Sequence, residues 1–184
     1  MTYPVFASGD VLNASDMNAV GLWLVKTFTV TTTATTQDIT SCFSSTYSNY
    51  RIEVDALTAS APIGLALQFL VGTTPTAANY YSSGLDVSLT GVVSGTGLSN
   101  NAVGINNLIG NTTPSGGFIE VYGPQKAIRT SFHSGGIDAR TTGNPFRMSG
   151  GFQDSNTQFD GIRILTNSAT TITGGTFRVY GYRN

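Results

Sequence analysis

Charged residues are scarce in this chain. Only 10% of its 184 residues are Asp, Glu, Lys or Arg, against about 25% in a typical soluble domain. Gly, Ser, Thr and Asn take their place, which predicts a surface that is polar and nearly uncharged. The nine basic residues form no stripe and the net charge is −1, which excludes the phosphate neutralisation that nucleic-acid binding requires. The composition favours a rigid particle component, or contact with neutral polar ligands such as glycans.

Cysteine, histidine and long apolar runs are also nearly missing. Cys42 is the only cysteine, so an intrachain disulfide and a cysteine-rich zinc site are excluded, and the thiol is expected to be buried. His133 is the only histidine and no GxSxG elbow accompanies it, so we interpret it as a strand residue outside any catalytic triad. No apolar run approaches the ~20 residues of a membrane span, and the N-terminus lacks the features of a secretory signal. We expect synthesis in a cytosol, no membrane insertion and no cofactor.

Acidic and glycine-rich segments give no assignable chemistry. Asp154, Asn156, Gln158 and Asp160 alternate as oxygen ligands do in some calcium loops, but the central glycine and distal glutamate of an EF-hand are missing. A solvated turn is the simpler interpretation, and ion binding stays open. The glycine-rich stretches VSGTG, PSGG, HSGG, MSGG and ITGG match no phosphate-binding loop and are interpreted as turns. No pair of carboxylates can be placed across a sugar cleft, so no catalytic or metal residue is predicted.

The stretch VFASGDVLNASDMN has the punctuation of a short helix. Asn13 is a candidate N-cap, and the carboxylate of Asp16 favours the positive helix end. Leu12 and Met17 have the spacing of a hydrophobic staple, and Gly21 ends about two turns. So short a helix is marginal alone and must pack on something.

From Lys26 onward the pattern is that of β-strands and turns. In NYRIEVDAL, the apolar residues from Tyr50 to Ala56 alternate with Arg51, Glu53 and Asp55, which is the period of a half-buried strand. Roughly ten such strands, separated by Gly, Pro, Asn and Ser, predict an all-β fold, an antiparallel β-sandwich of jelly-roll type. The predicted division is an N-terminal attachment and oligomerisation segment, 1–25, and a β-sandwich domain, 26–184.

Tyrosines near strand ends are weak candidates for recognition. A tyrosine combines a flat apolar ring with a hydroxyl, and sugars offer matching faces and hydroxyls. Tyr80 and Tyr81 lie in the turn-rich stretch GTTPTAANYYSSG, which we interpret as a loop tip. They are the predicted receptor contacts, although tyrosines that merely edge a β-core are the simpler alternative.

The opening stretch resembles the F-x-x-G-x-x-L-x-A-x-x-M-N start of many tail and fibre proteins of tailed bacteriophages. The residues that carry it are Phe6, Gly9, Leu12, Ala14, Met17 and Asn18. CFSSTYSNYRIEV and the ending FRVYGYRN are similar to small β-rich virion proteins, including those of marine and cyanobacterial phages. The stretch Ile63–Asn144 carries no such resemblance.

The resemblance implies a non-enzymatic virion protein, assembled in the host cytoplasm. The favoured expectation is a tail-fibre or adhesin component whose N-terminal segment docks on other virion proteins and whose loops contact a host surface glycan. The alternative is a capsid decoration (cement) protein that ties capsid subunits together, and a depolymerising enzyme comes third. A homotrimer is expected in either structural role, because three N-terminal helices would bury one another's apolar faces. The residues predicted for attachment are Phe6, Leu12, Met17, Val20 and Trp23.

Overall fold

The structure is a computed structural model that describes residues 21–138 and 146–182. Within these ranges every regular element is a β-strand, and no helix occurs. The predicted N-terminal helix, and with it Phe6, Leu12, Met17 and Val20, lies outside the described residues. The thirteen strands are β1 (Leu22–Thr29), β2 (Thr36–Ile39), β3 (Asn49–Ala59), β4 (Ile63–Val71), β5 (Thr74–Pro75), β6 (Tyr80–Val87), β7 (Val93–Asn101), β8 (Gly104–Gly110), β9 (Ser115–Tyr122), β10 (Thr130–Ile137), β11 (Phe146–Gln153), β12 (Gly161–Thr166) and β13 (Ile172–Tyr182).

The strands form two antiparallel sheets. The larger has eight strands in the order β1-β13-β3-β9-β10-β11-β6-β7. The smaller has the order β2-β12-β4-β5, and β8 pairs with β4 beside it. The predicted all-β, antiparallel architecture is therefore confirmed, in a form consistent with a β-sandwich.

A single hydrophobic core lies between the two sheets, because alternate side chains of each strand point into it. The eight-stranded sheet contributes Ile52 from β3 and Phe177 from β13, and the smaller sheet contributes Phe69 from β4 and Ile164 from β12, all fully buried. Cys42 belongs to the same core, which confirms the expected buried thiol.

The interpretation of the glycine-rich stretches as turns was wrong. Apart from Pro114, the stretches VSGTG, PSGG, HSGG, MSGG and ITGG lie within β7, β9, β10, β11 and β13, because glycine is compatible with a paired strand where neighbouring backbone or side chains approach closely.

Two strand boundaries also differ from those predicted. β1 begins at Leu22 and pairs with β13, so the last four residues of the predicted attachment segment, Leu22–Val25, belong to the sheet. The stretch LDVSLTGVV was predicted as one strand, but it contains the turn Ser88–Val92 that joins β6 to β7. The alternation of Leu, Val and Leu continues through this turn, and for that reason periodicity alone missed it.

The face of the eight-stranded sheet that points away from the core is called the outer face below. Its residues form rows across the strands because the register is regular in the middle of the sheet. One row runs from Tyr182 on β13 through Asn49 on β3 and Tyr122 on β9 to Ser131 on β10. The row continues to Phe152 on β11 and Tyr81 on β6. Parallel rows cross the same strands in the same order, so the register determines which side chains from distant parts of the sequence meet.

Candidate functional site

Seven polar and aromatic side chains converge on the outer face where β13, β3, β9 and β10 lie side by side. They line an open cleft of about 370 Å³, which we call the Arg51–Glu120 cleft. Its lining residues are Asn49, Arg51, Phe118, Glu120, Tyr122, His133 and Tyr182. Each of them occupies an outward position of its strand, opposite the alternate positions that supply the core.

Glu120 is the centre of the cleft. Glu120 is only 7% exposed, and its carboxylate accepts a hydrogen bond of 2.6 Å from Arg51 Nη1. The hydroxyl of Tyr182 donates to the same carboxylate, 2.6 Å from Oε2 and 2.8 Å from Oε1. Arg51 Nε also contacts Glu53 Oε1 at 3.3 Å. Charge-assisted hydrogen bonds of this kind hold three strands' side chains in one fixed arrangement.

The cleft shifts the pKa of its own ionisable groups. Burial raises the pKa of the Tyr182 hydroxyl to about 12, and the hydrogen bond and charge of Glu120 add to that effect. The pKa of Tyr122 is raised as well, first by burial and then by the charge of Glu120. Burial opposes the charged form of Arg51, but the hydrogen bond and charge of Glu120 outweigh it and raise the pKa. At neutral pH both tyrosines are therefore neutral hydrogen-bonding groups, and Arg51 is a cation.

Aromatic rings form the walls of the cleft. The Arg51 guanidinium lies over the Phe118 ring, 4.7 Å from its centroid, as in a cation–π contact. The ring of His133 meets Phe118 edge-on, with centroids 5.3 Å apart and planes at 68°. Tyr122 is 41% exposed at the rim. The predicted strand position of His133 is confirmed, and its ring turns outward into this cleft.

This arrangement is suited to binding a neutral, hydroxyl-rich ligand. Arg51 and the Asn49 amide offer donors, the Tyr122 hydroxyl offers both a donor and an acceptor, and the rings offer apolar faces. The charge of Arg51 is already balanced by Glu120, so an anionic ligand would find no unpaired arginine or lysine among the described residues that line the cleft. Because the aromatic and polar groups are held by the strands themselves, little ordering is required when a ligand binds.

The aromatic row continues beyond the cleft along the same end of the outer face. Across Ser131 from Tyr122 lies Phe152 on β11, and next to it Tyr81 on β6. The rings of Tyr81 and Phe152 are stacked, 5.2 Å apart with planes at 16°. Arg129 covers Phe152 at 5.1 Å from its centroid. Strands are about 4.8 Å apart, so the row spans several strand widths and offers a surface longer than the cleft.

The prediction of Tyr80 as a receptor contact was wrong. Tyr80 lies in β6 and is completely buried; its hydroxyl accepts a hydrogen bond of 2.6 Å from the backbone amide of Phe69. The last five residues of GTTPTAANYYSSG, which was interpreted as a loop tip, belong to the sheet, because β6 begins at Tyr80. Tyr81, its neighbour in sequence, faces the opposite way and is half-buried on the outer face, which keeps it among the candidate contacts.

Trp23 is the one predicted attachment residue that the structure describes. It lies in β1, opposite Gly181 of β13, and its side chain is half-buried. Its indole Nε1 is buried with no hydrogen-bond partner among the described residues. The neighbouring outward residues Leu22 and Leu24 are 44% and 57% exposed, so this edge of the sheet is apolar.

The segment that was considered for calcium is the connection between β11 and β12. Its two carboxylates are engaged elsewhere, because Asp154 pairs with Arg129 at 2.6 Å and Asp160 Oδ1 accepts the amide of Gly72 at 2.9 Å. Over residues 21–138 and 146–182, no group of three or more His, Cys, Asp or Glu side chains is arranged to hold a metal ion.

The sequence did not predict the cleft. Its members were expected only as strand residues or as some of several tyrosines near strand ends. The alternation of NYRIEVDAL did place Arg51 and Glu53 on the polar side of β3, and that of FIEVY in the same way places Glu120 and Tyr122 on one side of β9. The missing information was the pairing of β3 with β9 and β13, which brings together residues far apart in the chain.

The chain matches no protein family, no curated protein and no solved structure. In the part of the chain that the structure describes, no helix has the length and apolar character that crossing a bilayer requires.

Proposed function

We propose that this chain is a non-enzymatic structural protein of a tailed-bacteriophage virion. In this proposal it is a tail-fibre or adhesin component that contacts a host surface glycan through the outer face of its larger sheet. The virion assignment is supported by the resemblance of the opening stretch, carried by Phe6, Leu12 and Met17 among others. The glycan assignment is supported by the Arg51–Glu120 cleft, and that cleft is the observation on which the proposal chiefly depends.

A glycan is favoured as the ligand because the cleft combines aromatic rings with balanced charge. Sugars present apolar faces to aromatic rings and hydroxyls to amide, guanidinium and phenol groups. The outward row from Tyr182 through Tyr122 to Phe152 and Tyr81 would let a chain of sugar units contact several strands. A protein that only filled space on a particle would have no need of seven converging side chains on an open face.

The test of glycan binding uses the purified full chain and a library of bacterial surface polysaccharides. We expect Tyr122→Ala to weaken binding by about fivefold, since stacking on one aromatic ring contributes on the order of 1 kcal/mol and every 1.4 kcal/mol is about tenfold in affinity. Phe146→Ala is the matched control, because Phe146 is an outward aromatic residue of the same sheet with nearly the same exposure, 42% against 41% for Tyr122, and lies at the opposite end of the outer face. Equal loss in both variants, or no polysaccharide bound by the wild type, would refute the glycan assignment.

Virion attachment is assigned in this proposal to the N-terminal segment, and the structure sharpens how it should be tested. A deletion of residues 1–20 leaves β1 intact, whereas a deletion of residues 1–25 also removes Leu22–Val25 from the sheet. We expect the shorter deletion to remain folded and to lose incorporation into virions. Incorporation at the wild-type level would move the attachment element elsewhere.

A homotrimer is part of the same proposal. Light scattering on the full chain should give three times the 19.3 kDa of one copy. A mass equal to one copy would contradict the proposed trimer without affecting the glycan assignment. The jelly-roll arrangement is also proposed, supported by the alternation of β1 to β4 between the two sheets; an experimental structure would decide it.

A capsid decoration protein is the second candidate, and the exposed apolar residues of the outer face favour it. Ile137 and Phe146 are 55% and 42% exposed, as suits a chain that ties neighbours together. The number of copies per virion separates the candidates. Tens of copies indicate a tail component, and hundreds indicate decoration of the capsid.

A further inference from the structure

The outer face has an apolar region at the end opposite the aromatic row. It is formed by outward residues of four adjacent strands, and we call it the apolar corner. Its members are Leu85, Val87, Val93, Ile137, Phe146 and Met148. Register places them in two neighbouring rows, Met148 beside Leu85, and Ile137 beside Phe146, Val87 and Val93.

Part of the apolar corner is a depression with a glycine floor. Its accessible volume is about 200 Å³, and Phe118, Ile137, Phe146 and Met148 surround it. Gly135 keeps it open, because a Cβ at that position would lie 2.9 Å from the Phe118 ring. A depression of this size, with entirely apolar walls, is suited to one or two aliphatic side chains.

The same chain carries a projection of matching chemistry. The turn Ser88–Val92 at the end of β6 exposes Leu89 and Val92, which are 60% and 64% exposed. The Ser88 amide donates to the carbonyl of Val92 at 2.9 Å, the amide of Val92 donates to Ser88 Oγ at 2.9 Å, and a hydrogen bond joins the hydroxyls of Ser88 and Thr90. This is a rigid turn that holds apolar side chains in water, and such a surface marks a contact.

Charge on this part of the molecule is turned inward. Asp86 and Arg147 are the only charged residues of β6, β7 and β11, and both occupy inward positions of their strands. They pair with each other, with Arg147 Nη1 3.4 Å from Asp86 Oδ2, and the Asn107 amide reaches the same carboxylate. Asp55 lines a neighbouring pocket together with Ile137, and its Oδ2 lies 3.6 Å from Arg178 Nη1. The described lining of the depression and the turn Ser88–Val92 carry no charged side chain, so the two can meet without burying an unpaired charge.

One such contact is small. The turn exposes Leu89 and Val92, and the depression exposes Ile137 and Phe146, all between 42% and 64%. At roughly 150–200 Å² for each fully exposed side chain, about 200 Å² of apolar surface from each copy enters one contact. That area is well below the ~800 Å² that each partner buries in a standard interface, so a single contact is weak, and a closed ring, in which each copy makes two contacts, is the arrangement that stabilises it.

We propose that copies of this chain contact one another by inserting the turn Ser88–Val92 of one copy into the glycine-floored depression of the next. The inference rests on the proposed oligomer and names the surface that joins its members. Because turn and depression are different surfaces, one copy binds a second by its turn and a third by its depression. Three such contacts close a ring.

Site-specific cross-linking of the full chain tests this contact. A preparation of Leu89→Cys is mixed with one of Ile137→Cys and treated with a short bismaleimide. Cys42 does not interfere, because it is fully buried and burial raises its thiol pKa to about 12. We expect a covalent two-copy species from this mixture and none from Leu89→Cys mixed with Ile128→Cys. Ile128 is the matched control, since it is 53% exposed against 55% for Ile137 and lies between β9 and β10, at the opposite end of the sheet.

Sedimentation equilibrium gives an independent measurement. Ile137→Ser should raise the dissociation constant between copies at least tenfold relative to Ile128→Ser, while thermal unfolding of the two variants stays alike. Equal cross-linking to residues 128 and 137, or equal dissociation constants in the two serine variants, overturns the proposal. A wild-type chain that is a single copy in solution also overturns the proposal, and binding of phosphatidylcholine vesicles through Leu89 would then identify a membrane surface as the partner of the turn. Binding of a short soluble oligosaccharide that occupies one cleft should be the same for Ile137→Ser and wild type, because such a ligand gains no avidity from joined copies. Failure of this contact is therefore distinguishable from failure of the glycan assignment.

Discussion

Replacement of Glu120 by glutamine is the most direct test of how the cleft is held together. Glutamine keeps the shape of the side chain and one acceptor oxygen, but it removes the negative charge that Arg51 and Tyr182 both contact. The pair of Arg51 Nη1 and Glu120 Oε1 is 2.6 Å apart, and the side chains are 30% and 9% exposed. The change therefore removes a charge from a site that water reaches on one side only.

The magnitude follows from that exposure. Removing one partner of a fully buried ion pair costs about 3–5 kcal/mol, and a hydrogen bond to a charged group contributes about 1.5–3 kcal/mol. Water can still reach Arg51, and Glu53 lies 3.3 Å from its Nε, so part of the loss is recovered. We expect Glu120→Gln to lower the free energy of unfolding at pH 7 by about 1–2 kcal/mol, measured by urea denaturation. Glu53→Gln is the control. We expect it to lower the free energy of unfolding by about 0.5 kcal/mol or less, because the Glu53 side chain is 46% exposed.

The pKa of Tyr182 provides a second measurement of the effect of Glu120→Gln. Its pKa is raised from its ordinary value of about 10 to about 12, which means that the folded state favours the neutral hydroxyl. The associated stability is complete below pH 10 and is lost as the pH rises through 12. In Glu120→Gln the pKa of Tyr182 should fall, although burial still holds it above the ordinary value. The measurement is the tyrosinate absorbance of each protein minus that of its Tyr182→Phe derivative.

Two results would refute this reasoning. The first is an equal loss of stability in Glu53→Gln and Glu120→Gln, which would mean that exposure does not decide the contribution. The second is an unchanged titration of Tyr182 when Glu120 is neutralised, which would mean that the charge does not act on the hydroxyl.

Three further substitutions or treatments test other parts of the structure. Tyr80→Phe should cost about 1–3 kcal/mol by leaving a buried amide of β4 without its acceptor, whereas Tyr81→Phe should change the urea midpoint by less than the experimental error. Gly117→Ala should lower the free energy of unfolding by about 1–3 kcal/mol, because the new Cβ would collide with a carbonyl oxygen of β10. Gly97→Ala is its control and should cost less than half as much in the same denaturation assay, because the nearest atom to its new Cβ would be 3.9 Å away. The Cys42 thiol, buried and with a pKa raised to about 12, should resist iodoacetamide at pH 8 in the native protein and react at once in 6 M urea, as followed by mass spectrometry; rapid native alkylation would contradict its place in the core.

Fold class was predictable because it depends on local alternation. The period of two in NYRIEVDAL is a property of β3 alone, and it correctly separated Ile52 and Val54 from Arg51 and Glu53. Most of the strands follow from the same signal. The predicted count of roughly ten strands was too low because alternation crosses a tight turn between Leu85 and Val93, and because the short strands β2 and β5 were not predicted.

The cleft was not predictable because it depends on strand order. Glu120 and Tyr182 are 62 residues apart, and they meet only since β3 lies between β9 and β13 in the sheet. Neither the length of a connection nor its composition specifies that order. The error at Tyr80 has a similar origin, because two adjacent tyrosines at the start of a strand point to opposite faces, and only the position of the core tells which one is buried.

The division of the outer face into an aromatic end and an apolar corner has a consequence for strength of attachment. Both regions lie on one rigid sheet, so copies joined by the turn of one and the depression of the next would hold their ligand clefts at a fixed spacing and in a fixed orientation. Once one cleft is occupied, the next sugar unit on the same surface is met at a high effective concentration, and avidity can exceed single-site affinity by about 10²–10⁴-fold. A cleft as shallow and as charge-balanced as that around Glu120 can therefore bind each sugar weakly, release it quickly, and still keep the whole assembly on a cell.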